Sequence, residues 1–158
     1  VIERKLDALI ERNRSRMDFR QRYKDMIQEY LNGSVNLEEL FDKLVKFSQE
    51  LNEEEQRHIR EELGSEEELA VFDLLTKPEM DLNQKQIKQV KAVSRKLLET
   101  LKTEKMVLDW KKRQQTRAGV KVAIEKLLDD LPEVYSKEVY DGKCTAVYDY
   151  IWELEPSG

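Results

Sequence analysis

The sequence has one cysteine, one histidine, three prolines and five glycines in 158 residues. A single Cys144 excludes an internal disulfide and any zinc site built on cysteines, and it fits a reducing compartment. With so few helix breakers, and a bias toward Glu, Lys, Leu, Gln and Arg, the composition points to an all-α fold. No apolar run approaches the roughly 18 residues a membrane span needs, and no signal peptide is expected. A cytoplasmic protein with no membrane partner is expected. GxxxxGK[ST] phosphate loops, GxGxxG turns, HExxH pairs and GxSxG elbows are all missing. His58 lies in a strongly charged helical run and reads as a surface or packing residue. Cys144 sits on an apolar stripe and reads as a small core residue rather than a nucleophile. No catalytic residue, metal ligand or cofactor is expected in this chain.

What the chain has is charge, 39% of its residues, unevenly placed. Residues 105–121 hold six Lys/Arg and one Asp, so a net charge of −5 leaves −10 on the rest. A globally acidic protein with a local cationic patch can still meet an anion there. The patch lies in MVLDWKKRQQTRAGVKVAIEKLLDDL (106–131). With Val120 at zero on a helical wheel, Ile124, Leu127 and Leu131 fall within about 40°, a core-facing stripe. Extended backwards, the wheel sets Arg113 and Arg117 on that same side, where guanidiniums must leave the core or find carboxylates. Asp109 is the expected N-cap of this helix, with Pro132 beyond its end.

Apolar spacing of three and four, with caps, divides the remainder. A first helix covers about 1–12, and a second runs to Leu31, closed by Asn32-Gly33. Asn36 with Glu39, Asn52 with Glu55 and Ser65 with Glu68 predict three successive helix starts, the middle helix ending at Gly64. The glutamates at 53–55 and 66–68 then belong to first turns, as caps and solvated charge. Residues 76–79, around Pro78, form a break, a long helix follows over about 83–104, and Ser136 caps the last helix. The expectation is an irregular all-α bundle of about seven to eight helices. The chain opens on Val with a helix already under way, so a piece of a longer protein is expected.

The segments FDLLTKPEMDL (72–82), SRKLLETLKTEKMVLDWKKRQQTRAGVKVAIEKLLDDLPEVY (94–135) and YDGKCTAVYDYIWE (140–153) closely resemble the C-terminal region of the restriction subunit of type I restriction-modification enzymes. NRSRMDF (13–19) and LVKFSQELNEEEQRHIREEL (44–63) resemble it too, and DWKKRQQ (109–115) is the most specific block. The resemblance implies a parent chain with a nuclease domain and two RecA-like motor domains that use ATP and Mg to translocate duplex DNA, all outside these residues. It implies residues 1–35 as a helical lead-in to that parent and 36–158 as its C-terminal helical domain. It further implies a module that docks the motor subunit onto the methyltransferase core (modification and specificity subunits), with DNA and the remaining domains of its own chain close by. No catalytic residue of the family carries over. Lys111, Lys112, Arg113, Arg117 and Lys121 are the candidate contacts to DNA or a partner, with Trp110 bracing the start of the helix. The alternative is a purely structural protein–protein adaptor with no DNA contact.

Overall fold

The computed structural model describes residues 1–78 and 80–154. Among them are eight α-helices and no strand: α1 (Ile2–Arg12), α2 (Met17–Leu31), α3 (Leu37–Glu55), α4 (Arg57–Arg60), α5 (Glu66–Thr76), α6 (Gln84–Thr100), α7 (Gln114–Leu128) and α8 (Lys137–Glu153). The all-α bundle is as the composition implied. The chain forms two compact units, Val1–Ala70 and Val71–Gly158, and the division falls inside α5.

In the first unit Leu6, Leu9 and Ile10 of α1 pack with Phe47 and Leu51 of α3. Each of these fully buried side chains contributes about 1.5–3 kcal/mol. Phe19 and Tyr23 of α2 lie 6.1 and 5.9 Å, ring to ring, from Phe47. The α2 terminus is the expected left-handed cap: Gly33 has φ +83°, and Ser34 N–H bonds back to the Glu29 carbonyl. Asn36 caps α3 by accepting from the Glu39 N–H at 2.8 Å. Asn52 does not start a new helix, because α3 continues unbroken to Glu55. Turning Leu51 and Glu54 into the interior keeps the chain helical past the point where a cap looked available. The next helix, α4, is four residues long and stops before Gly64, with Glu62 in the left-handed position (φ +61°) and Leu63 N–H on the His58 carbonyl at 2.8 Å. Ser65 caps α5 as expected, 3.1 Å from the Glu68 N–H.

The same unit contains a buried cation. Arg16 is 2% exposed, in a turn between α1 and α2. Its Nε meets Glu54 and its Nη1 meets Glu66, each at 2.7 Å, and Nη1 also donates to the Leu9 carbonyl at 3.0 Å. Arg57 and His58 complete the cluster, 2.9 Å from Glu54 and 3.0 Å from Glu66. Burial opposes the Arg16 charge, and the hydrogen bonds to Glu66 and Glu54 more than offset it, so its pKa rises. Glu54 and Glu66 are therefore not merely capping or solvated carboxylates, as first-turn placement suggested.

In the second unit α6, α7 and α8 pack around Val90, Leu97 and Leu101, Val120, Ile124 and Leu128, and Val147 and Ile151, all fully buried. Asn83 and Gln86 close a complete capping box on α6. The α-helix ends at Thr100, short of 104, and passes into a π turn, Leu101–Lys105, closed by Met106 N–H on the Leu101 carbonyl. Ser136 caps α8. The end of α5 is held from α8 and the loop before it: Lys143 Nζ donates to the Leu74 carbonyl at 2.8 Å, and the Tyr135 hydroxyl to the Leu75 carbonyl at 2.6 Å. Thr76 is the last residue of α5, at the start of the expected break; Glu79 lies outside the described residues. No helix of the described residues is long and apolar enough to cross a membrane.

Candidate nucleic-acid interface

The cationic stretch does not enter the bundle as one helix. Asp109 adopts φ +58°, left-handed rather than capping, and α7 begins only at Gln114, with Arg113 as its N-cap residue. Between them Trp110–Lys112 make a 3₁₀ turn. The cause is Trp110. It is 1% exposed, edge-on to Trp152 at 5.6 Å and to Tyr148 at 6.4 Å between ring centroids. Burying a ring this large outweighs one more helical turn, and a short polar residue before it tolerates the left-handed conformation. Trp110 therefore braces the entry to α7 from the core. Its indole N–H finds no hydrogen-bond partner among the described residues.

The first turn of α7 ties this entry down. The Thr116 hydroxyl is shared between the carbonyls of Trp110 (2.6 Å) and Arg113 (3.0 Å), and Arg117 Nη1 donates to the Lys111 carbonyl at 2.6 Å. Arg117 is half-buried and engaged with the backbone of Lys111. Lys111 is half-buried too, its ammonium 5.4 Å from the Trp152 ring centre. Lys112 and Arg113 are the exposed pair. Lys112 approaches Asp109 loosely at 3.5 Å, an ion pair worth little at such exposure. The Arg113 side chain has no ion pair among the described residues, nor does it cap the helix it begins. Arg113 and the Val120 stripe therefore do not share a helix face, as the backward wheel had them, because the helix between them starts late.

Lys121, about two turns into α7, is exposed on the mouth of a separate cleft of about 410 Å³ shared with Glu125, Tyr140, Cys144 and Tyr148. There burial pushes the Cys144 thiol up, away from a reactive thiolate. Burial, with a hydrogen bond to Asp129, raises Tyr140 well above the ordinary phenol range. The structure thus groups Trp110, Lys111, Lys112, Arg113 and Arg117 at one end of α7 and sets Lys121 apart. No group of three or more His, Cys, Asp or Glu among the described residues is placed to hold a metal ion.

Two features escape a reading of the sequence. The Arg16 cluster joins residues 38 and 50 positions apart, and no local spacing signals such a pairing. Gly119, inside α7, is the other: it lines a groove beside the π turn, and a glycine inside a run of good helix formers is the signal that could have found it.

The family profile described as type I restriction enzyme HindI endonuclease subunit-like, C-terminal, matches residues 1–151. A curated relative, the type I restriction enzyme HindI endonuclease subunit of Haemophilus influenzae, is 25% identical over 112 residues, which make up 70% of this chain and 10% of that protein. The chain thus spans about a tenth of the length of the relative it matches. No solved structure matches it. With a profile that runs from α1 into the last turn of α8, the chain belongs to the family of C-terminal regions of HindI-like type I restriction endonuclease subunits.

Proposed function

We propose that this chain is a non-catalytic module of a type I restriction endonuclease subunit, one that docks its ATP-dependent, DNA-translocating parent onto the methyltransferase core of modification and specificity subunits and contacts duplex DNA at the entry to α7. ATP and Mg belong to the parent's other domains, and the protein works in the cytoplasm. The observation that carries the DNA contact is Lys112 and Arg113, exposed together where α7 begins, with the Arg113 guanidinium free of any carboxylate among the described residues. The N-terminal N–H groups of α7 add a positive end to the same spot. Lys111 supports the pair from above Trp152. Arg117 is a positioning residue that holds the Lys111 carbonyl, and Lys121 is a peripheral contact.

The test is binding to a fluorescent duplex of about 30 base pairs across a salt titration. Each phosphate contact contributes about 0.9 to the slope of log affinity against log salt. Lys112→Ala with Arg113→Ala is expected to flatten the slope by roughly 2. An unchanged slope would remove DNA from the reading.

The second reading, an adaptor that never touches DNA, is favoured by one observation: this fold does use an arginine, Arg16, as a buried structural ion-pair centre. It would be selected by the absence of duplex binding at low salt together with retained binding to the methyltransferase core.

A further inference from the structure

Behind the entry to α7, on another side of the helix, lies a groove of about 490 Å³ between α7 and the π turn that follows α6. Its lining is mainly apolar and includes Ala118, Gly119, Val122 and Leu127. Val122 is 47% exposed although aliphatic. Gly119 lies well inside α7, where glycine weakens a helix relative to alanine. A Cβ placed on it would meet nothing within 4 Å, so packing within the chain does not require a glycine there. Small side chains beside an open apolar channel permit the backbone of another element to approach closely. The rim is cationic: Lys105 and Lys126 are exposed and without an ion pair among the described residues, and no acidic residue lines the groove.

We propose that this groove seats an amphipathic helix of a partner protein, one with small apolar residues toward Gly119 and Asp or Glu toward Lys105 and Lys126. Helix-in-groove docking of this kind takes its affinity from the apolar face and its register from flanking charges. The apolar lining disfavours nucleic acid, whose phosphates need a cationic track along their length. The π turn supplies a preformed wall, because the bond from Met106 N–H to the Leu101 carbonyl at 2.7 Å fixes it. The identity of the partner, a subunit of the methyltransferase core, rests on the docking reading given above.

The experiment measures the affinity of this chain for the reconstituted methyltransferase core. It compares Gly119→Leu with Gly142→Leu, because Gly142 in α8 also has open space at its Cβ but does not line the groove. Leucine is a better helix former than glycine, so both variants should keep or raise the Tm, by about 2–4 °C. Only Gly119→Leu is expected to weaken the complex, at least tenfold, and Lys105→Glu with Lys126→Glu should weaken it again. If the core binds and Gly119→Leu leaves its affinity unchanged, the groove proposal is overturned while the docking reading survives. If the wild-type chain does not bind the core, both fall. If Gly119→Leu instead abolishes a concentration-dependent dimer in sedimentation, or weakens duplex binding, the occupant is a second copy or DNA and the proposal is wrong.

Discussion

Arg16 shows what a single residue contributes here. Two carboxylates, Glu54 and Glu66, and the Leu9 carbonyl surround its guanidinium at 2.7–3.0 Å. A pair this buried is close to neutral in net stability, yet removing one partner leaves the others desolvated and unmatched. Arg16→Ala should therefore destabilise the chain by about 3–5 kcal/mol in urea titration. Replacing Arg16, Glu54 and Glu66 together by methionine or leucine should cost less than that single change. A triple variant as unstable as Arg16→Ala would mean that the cluster adds stability rather than specificity. None of this was legible in the sequence, where Arg16 is one of eight basic residues in the first 24. What marks it is a partner set that only the tertiary fold assembles.

At the scale of the helix, the caps at Asn36, Ser65 and Ser136 and the Gly33 terminus were readable, because each depends on a few neighbouring residues. The start of α7 was not. Aspartate before an apolar residue resembles an N-cap, but Asp109 stands before a tryptophan whose burial against Tyr148 and Trp152, residues near the other end of the unit's sequence, decides the local backbone. The left-handed Asp109 can therefore be replaced without harm. At φ +58° glycine carries no Cβ penalty, and the ion pair that the Asp109 carboxylate makes with Lys112 is exposed and weak. Asp109→Gly is expected to leave stability unchanged or to raise it by up to about 1 kcal/mol. It should also tighten duplex binding by deleting a negative charge beside Lys112. A lost cap would instead lower stability and leave duplex binding alone, so a thermal melt and one binding isotherm separate the two.

Over the whole chain, the helical class and the family were legible, since composition sets the first and the DWKKRQQ block with its flanking segments carries the second. Charge is the remaining property of the whole, and it makes the proposed DNA contact testable at a distance. The net −5 is the balance of a cationic 105–121 and an acidic remainder. Within the second unit, Asp130 and Glu133 are exposed just past the C-terminal end of α7, a 15-residue helix and so about 22 Å long. If DNA lies at the N-terminal end, these acids repel it only through solvent. The screening length is about 30 Å at 0.01 M salt and about 8 Å at 0.15 M. Asp130→Asn with Glu133→Gln should therefore tighten duplex binding at the lower salt and have no effect at the higher one. Lys112→Ala with Arg113→Ala should weaken it at both. An Asp130/Glu133 effect that persists at 0.15 M would place the duplex against the far end of α7, and Lys112 and Arg113 would no longer be its contacts.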